Sequence, residues 1–374
     1  MKILILSCNT GAGHNSAANA IKEAFINKGH ICEVTDVLAF GGQTASDLVC
    51  DAYIEMVKKT PKLFGEIYKM GNKIGQLNQE NGKIRSPIYY INKLYADALE
   101  EYIKQNEFDA VICVHIFAAE AMTNLKKHCR ITIPFYFVAT DYYCPPMLEE
   151  TIPNVIFTAH KDSSFSYKQH GIDSKLLVPS GIPVAAKFLE KKDKDLARSE
   201  LGLNSDDQIF LLMSGSMGFG DLLDTTRYIF ENGNEKTRVI AITGHNENLY
   251  KKFQTSFKDE QRLILVGFTD KVSDYLDACD VLLTKPGGLS STEALAKGVA
   301  IVHTAPIPGC ETENVHFFTE HHLSLCAQEA SDAGRIAVEL MNDKFLRDQI
   351  LQAQEHYRCL NSADQIASYI IDLH

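Results

Sequence analysis

Lys285–Gly298 reads KPGGLSSTEALAKG and follows directly on the apolar stretch Asp280–Thr284, DVLLT. A buried strand turns here into a helix through Gly287 and Gly288, with hydroxyls at Ser290, Ser291 and Thr292 and a carboxylate at Glu293. Small residues let a backbone approach a bound group closely, and the free amides of a helix N-terminus attract anions. Glu293 lies about one turn into the helix, where side chains lean back toward the N-terminus. A ligand with phosphates at one end and vicinal hydroxyls at the other satisfies this arrangement, and a nucleoside diphosphate has that shape.

The same strand–turn–helix grammar runs through the chain, and alternation of this kind predicts parallel α/β architecture. Strands are expected at Ile3–Ser7, Ile31–Asp36, Ala110–Val114, Pro134–Ala139, Val155–Thr158 and Leu176–Val178. A long, largely helical insertion is expected at about 45–106. The Gly/Pro-marked Ser180–Phe188 (SGIPVAAKF) reads as an interdomain connection. A second series follows at Ile209–Ser214, Arg238–Thr243, Leu263–Val266, Asp280–Thr284 and Ala300–His303. Helical patterns intervene at about 221–233, 246–259, 271–278 and 291–298, and one or two helices occupy about 344–372. Two similar halves result, and ligands in such sheets bind outside the carboxyl ends of the strands.

Composition bounds the function. A chain of 374 residues predicts two domains. No run reaches the eighteen or more apolar residues of a membrane span, and the apolar opening MKILILSCNTGAGH lacks the marks of a signal peptide. A cytoplasmic protein is expected. The ten cysteines are scattered without a C-x-x-C pair, which argues against a disulfide framework or a zinc site. A net charge of −11 argues against nucleic-acid binding. That charge is uneven: Lys58 to Lys93 holds eight cations, including Lys58, Lys59 and Lys62, against Glu66 and Glu80, leaving the rest of the chain at −17. Phe64, Tyr68, Tyr89 and Tyr90 interleave with them. The segment is either an ordinary solvated helical surface or a patch for anionic lipid headgroups, where each cation adds about 1 kcal/mol.

Three further glycine turns close expected strands. Ser7–Phe25, SCNTGAGHNSAANAIKEAF, places Gly11 and Gly13 at the start of a helix with His14 in the turn. A dinucleotide fingerprint is incomplete there, because Ser16 stands where its last glycine belongs. His14 is either a general base at the mouth of the site or a structural part of the turn. Phe210–Asp224, FLLMSGSMGFGDLLD, carries Gly215, Ser216 and Met217 and suits a diphosphate. Ala305–Phe318, APIPGCETENVHFF, brings Glu311 and Asn314 into a helix. Gly267-Phe268-Thr269 ends the strand before Lys285's own. Strand-end glycine turns repeated in this way are stronger evidence than any one alone.

The order of these motifs resembles the glycosyltransferase family of plant monogalactosyldiacylglycerol synthases, bacterial processive diacylglycerol glucosyltransferases and the lipid II N-acetylglucosaminyltransferase. NTGAGHNSAANAI, FYFVATD (Phe135–Asp141), PSGIPV (Pro179–Val184), SGSMGFGD, GFTDKVSDYLDACDVLLTKPGGLSSTEALAKG and PIPGCETEN carry the resemblance over nearly the whole chain. It implies a GT-B fold, with two Rossmann-like domains facing across a cleft. The acceptor domain would span 1–182 and the UDP-sugar domain 183–355, with 356–374 a helix returning to the first.

The resemblance further implies inverting transfer of a hexose from a UDP-sugar to a lipid acceptor, diacylglycerol above all, at the inner face of the cell membrane, without a metal or other cofactor. Phe268 and Thr269 would lie at the uracil and Glu293 at the ribose hydroxyls. Ser216, Gly288, Leu289 and Ser290 would surround the diphosphate and Glu311 would touch the sugar, with Gly215, Met217, Gly267, Gly287 and Asn314 in the same site. His14 would be the base, with Asp141 its partner or substitute, and Gly11 and Gly13 would form the acceptor-side turn. Two positions depart from the family pattern. Cys310 stands where relatives carry Gln, and Tyr142 follows Thr140-Asp141 where many have His or Trp. A UDP-N-acetylglucosamine 2-epimerase and a non-catalytic UDP-sugar sensor are the alternatives.

Overall fold

The computed structural model describes residues 1–9, 12–42, 93–213, 222–306 and 309–374. Gly11, Gly215, Ser216, Met217, Lys58, Lys59 and Lys62 lie outside them, as does most of the expected insertion. By its contacts the chain divides into two units. One comprises Met1–Ala185, Pro308–Cys310 and Cys359–His374, and the other comprises Ala186–Ile307 and Glu311–Arg358.

The first unit runs β1 (Lys2–Ser7), α1 (Ala12–Asn27), β2 (Ile31–Asp36), α2 (Lys93–Gln105), β3 (Ala110–Cys113), α3 (Ile116–Lys127), β4 (Phe135–Val138), β5 (Val155–Thr158), α4 (Ser164–Gln169) and β6 (Leu177–Pro179). Its sheet is parallel, in the order β2-β1-β3-β4-β5-β6. The inner strands β1, β3, β4 and β5 read as apolar runs because both faces are covered. Leu4, Leu6, Val111, Cys113, Phe135 and Phe137 enter one core. Their alternates Ile3, Ile5, Ala110, Ile112, Tyr136 and Val138 enter the other.

The second core also takes Ala18, Ile21 and Phe25 of α1 and Ile366, Ala367 and Ile370 of the last helix. Phe25 is fully buried there, and its truncation to Ala would cost roughly 3–5 kcal/mol. Gly181, at φ +85°, lies where any Cβ would collide with Ser362 and Cys359, so only glycine lets the chain after β6 pass under that final segment.

The second unit runs α5 (Lys194–Glu200), β7 (Gln208–Met213), α6 (Leu222–Asn232), β8 (Thr237–Ile242), α7 (Glu247–Ser256), β9 (Leu263–Val266), α8 (Val272–Ala278), β10 (Val281–Thr284), α9 (Gly288–Lys297), β11 (Ala300–His303), α10 (Cys310–Glu320), β12 (Leu325–Cys326), α11 (Ala333–Asn342) and α12 (Lys344–Glu355). Its sheet order, β12-β11-β10-β7-β8-β9, is again parallel. The final α13 (Ser362–Asp372) belongs to the first unit.

β12 and α11 are among the elements with no counterpart in the sequence reading. β12 is a two-residue edge strand, too short to carry a periodic signal. α11 buries Ala333, Ala337, Leu340 and Met341 at helical spacing, a stripe overlooked between better-marked segments. The one or two helices expected at about 344–372 are two, α12 and α13, which lie in different units.

Candidate active site

The first unit gathers residues at the carboxyl ends of three neighbouring strands. β1 lies between β2 and β3, and β4 follows β3, so segments far apart in sequence end side by side. His14 stands in the first turn of α1, which also holds Gly13. The β1–α1 turn is braced by Ser7 Oγ donating to Asn15 Oδ1 at 2.5 Å and by Asn15 Nδ2 donating to Asn9 at 2.7 Å.

His14 Nδ1 lies 2.9 Å from the Val114 carbonyl oxygen, beyond β3, and 3.1 Å from Thr140 Oγ1, beyond β4. A carbonyl only accepts, so Nδ1 carries the proton and Nε2 keeps its lone pair. Burial holds His14 below its ordinary pKa, opposed by the Asp141 carboxylate and the Val114 carbonyl. The imidazole is therefore neutral near pH 7 and able to accept a proton at Nε2. Asp141 is partly buried at the β4 end and acts on His14 through its charge. Sequence reasoning missed His115, whose ring stands edge-on to His14 at 4.7 Å and 87°. Its only sequence signal is its place directly after a strand.

In the second unit, β10 delivers Thr284 and Lys285 to the turn before α9, and Gly287 is the helix N-cap. No side chain caps this end, and a Cβ on Gly287 would meet nothing within 4 Å. The first-turn amides with open space before them are an anion site in the making. Gly288 and Leu289 are buried, and Ser290 and Glu293 are partly so. Desolvation pushes the Glu293 carboxyl up to about 8, against the pull of the Lys187 ammonium.

Buried His303 fastens this turn from behind. Its Nε2 lies 3.0 Å from Ser291 Oγ in α9 and its Nδ1 3.0 Å from Ser324 Oγ. Burial takes His303 down to about 3, so it is neutral and needs both hydroxyls as partners.

Glu311, expected against a sugar, is nearly buried and pairs with Lys285, Oε1 to Nζ at 2.8 Å. Asn314 Nδ2 donates to the Pro286 carbonyl at 3.0 Å. α10 is thus tied to the glycine turn before α9, which is why Asn314 shares a site with Pro286, 28 positions upstream, and Glu311 with Lys285. Thr304, just past β11, has its hydroxyl oxygen buried with no partner among the described residues.

At the β9 end, Gly267 has open space around it and Phe268 is 68% exposed. His245, beyond β8, stacks on Phe268 at 4.3 Å and 19°. Thr269 Oγ1 accepts from the Lys271 amide at 3.1 Å. An exposed ring next to an open backbone stretch is a surface that can take a planar group. A separate cavity of about 800 Å³, lined by Thr312, His316, Thr319, His322 and His356 among others, shares Ser324 with the His303 brace and none of the residues expected at a ligand.

Residues 14–184, which include His14, His115, Thr140 and Asp141, match the family model of monogalactosyldiacylglycerol (MGDG) synthase. A processive diacylglycerol beta-glucosyltransferase of Staphylococcus epidermidis is 25% identical over 384 residues, covering 100% of this chain and 93% of that one. Its Staphylococcus aureus namesake is 24% identical, again over 100% and 93%. Among solved structures, MurG of Acinetobacter baumannii superposes with a TM-score of 0.63 at 16% identity, covering 99% of each chain. A putative UDP-N-acetylglucosamine 2-epimerase of Listeria monocytogenes gives 0.65 at 14%, covering 99% of this chain and 95% of that one. HepE of Anabaena, in complex with UDP and glucose, gives 0.60 at 13%, covering 100% and 99%. At these identities the structural likeness establishes the fold alone, and the epimerase shares it as fully as the others. The chain is thus similar to the MGDG synthase family over residues 14–184 and to processive diacylglycerol glucosyltransferases along its whole length, and its two Rossmann-like units have the GT-B fold.

Proposed function

We propose that the protein is an inverting, metal-independent glycosyltransferase that moves a hexose from a UDP-sugar to diacylglycerol. The observation that carries this reading is the His14 tautomer: a neutral imidazole with Nδ1 committed to the Val114 carbonyl and Nε2 left basic. A passive sensor has no need of a general base, and an epimerase would use one on the sugar itself rather than on a second substrate.

In this reading Nε2 takes the proton of the acceptor hydroxyl as its oxygen attacks the anomeric carbon. The bond to UDP breaks on the far face, which inverts the configuration. Charge developing on the diphosphate is met by the α9 first-turn amides and by Lys285, already fixed by Glu311. Glu293 holds the ribose hydroxyls, Phe268 and Thr269 the uracil, and Glu311 and Asn314 the sugar. The glycine loop of Gly215, Ser216 and Met217 completes the diphosphate site. Asp141 tunes the base through its charge.

The basic segment of Lys58, Lys59 and Lys62 holds the enzyme peripherally on an anionic membrane at the cytoplasmic face. Among the described residues no helix is long and apolar enough to cross a membrane.

UDP release from a panel of UDP-sugars, measured with and without diacylglycerol vesicles, tests the proposal. Release that requires diacylglycerol and yields a β-linked glycolipid from an α-linked donor supports it. Interconversion of the UDP-sugar without lipid would instead establish an epimerase.

A further inference from the structure

We propose that His115 is a positioning residue for His14, its ring fixing where the basic Nε2 of His14 points. This rests on the assignment of His14 as base, and the observations behind it are geometric. The Val114 carbonyl fixes the tautomer of His14, but Val114 and Thr140 both meet the ring at Nδ1 and leave it free to swing about that atom. The His115 ring, edge-on at 4.7 Å and 87°, removes that freedom.

His115 is itself held on two sides. Its Nδ1 accepts from the Phe117 amide at 3.2 Å, capping α3, and the Phe117 ring lies edge-on to it at 4.6 Å and 74°. Consecutive residues at the end of β3 therefore constrain the base, Val114 through its carbonyl at Nδ1 and His115 through its ring, beside the Thr140 hydroxyl from the β4 end. The titratable groups acting on His14 are His115 from the β3 side and Asp141 from the β4 side. His115 is itself held neutral, chiefly by burial and further by the neighbouring His14.

Its two duties separate by substitution. His115→Asn keeps an acceptor for the Phe117 amide and loses the ring, whereas His115→Phe keeps a ring and loses the acceptor. Two measurements on the full-length protein decide between them. One is kcat and KM with diacylglycerol vesicles, and the other is the imidazole titration of His14 followed by nuclear magnetic resonance.

If the ring positions the base, His115→Asn lowers kcat by roughly 10- to 100-fold, the usual cost of a misplaced catalytic group, with KM for the UDP-sugar unchanged. Its His14 titration moves to higher pH as water reaches the imidazole. His115→Phe loses several-fold less kcat and leaves that titration in place. The reverse order, with Phe the worse variant, would show that His115 merely caps α3, and an unmoved His14 titration in His115→Asn overturns the proposal as well. Full turnover in His14→Ala would remove the base assignment itself, while the titration still decides whether His115 holds the ring.

Discussion

Glu293 offers a prediction whose size follows from its surroundings. Its carboxyl is pushed up to about 8 by desolvation, so at pH 7 roughly nine-tenths of the free protein carries that proton. A carboxylate that accepts hydrogen bonds from ribose hydroxyls must be ionised, so UDP binding at pH 7 expels the proton. The expulsion costs about one pKa unit, or roughly 1.4 kcal/mol, and the cost vanishes by pH 9. Affinity for UDP should therefore rise about tenfold between pH 7 and pH 9. That window lies above the second phosphate ionisation near 6, so the diphosphate does not titrate within it, and the uracil imide begins to ionise only at its upper edge.

Calorimetry in buffers of differing ionisation enthalpy should register close to one proton released per UDP at pH 7. At pH 9 the charge-assisted bonds are worth roughly 1.5–3 kcal/mol, so Glu293→Ala should weaken UDP binding by about 10- to 100-fold. Glu293→Gln, which cannot titrate, should bind with no pH dependence across this range. In the free protein the raised pKa means that stability from this group is present at low pH and lost as pH rises through about 8. Both substitutions should therefore make the unliganded protein relatively more stable at pH 9. An affinity that is flat between pH 7 and 9 with no proton release would refute the placement of Glu293 at the ribose.

His14→Ala should cut turnover by roughly 10²–10⁴ while UDP affinity stays close to that of the parent, as steady-state kinetics and calorimetry would show; a loss under tenfold would make His14 a structural part of its turn and Asp141 the next residue to test. Asp141→Asn removes the charge that raises the His14 pKa, so the acid limb of the kcat/KM profile should move to lower pH. Removing Lys58, Lys59 and Lys62 together should weaken binding to anionic vesicles more than tenfold, less so in high salt, with UDP affinity unchanged; equal sedimentation with vesicles would exclude the membrane patch. His303 is buried neutral at about 3, so stability from this group is lost as pH falls from about 6.5 toward that value. Thermal melts between pH 7 and pH 4 should accordingly fall less steeply in His303→Gln than in the parent.

Both sheets were legible in the chain because their strands are buried on two faces and read as unbroken apolar runs, as in Leu4–Leu6 and Val281–Leu283. The glycine turns were legible for a local reason: strand, turn and helix N-terminus are contiguous, so Gly287, Gly288 and Glu293 declare their geometry within ten residues. His14 was visible as a candidate on the same ground. What sequence could not supply is which strand ends lie side by side. The order β2-β1-β3-β4 brings the Val114 carbonyl, His115 and Thr140 to His14 across separations of 100 or more residues. Only that neighbourhood fixes the tautomer and lowers the pKa. The order of the second sheet likewise puts β11 beside β10, so that Glu311 meets Lys285 and Ser324 reaches Ser291 through His303. Local pattern determined the elements and the turns, because hydrophobic periodicity and backbone freedom are local properties. The pairing of strands decided the chemistry, because protonation, tautomer and ion pairing depend on what lies across the sheet.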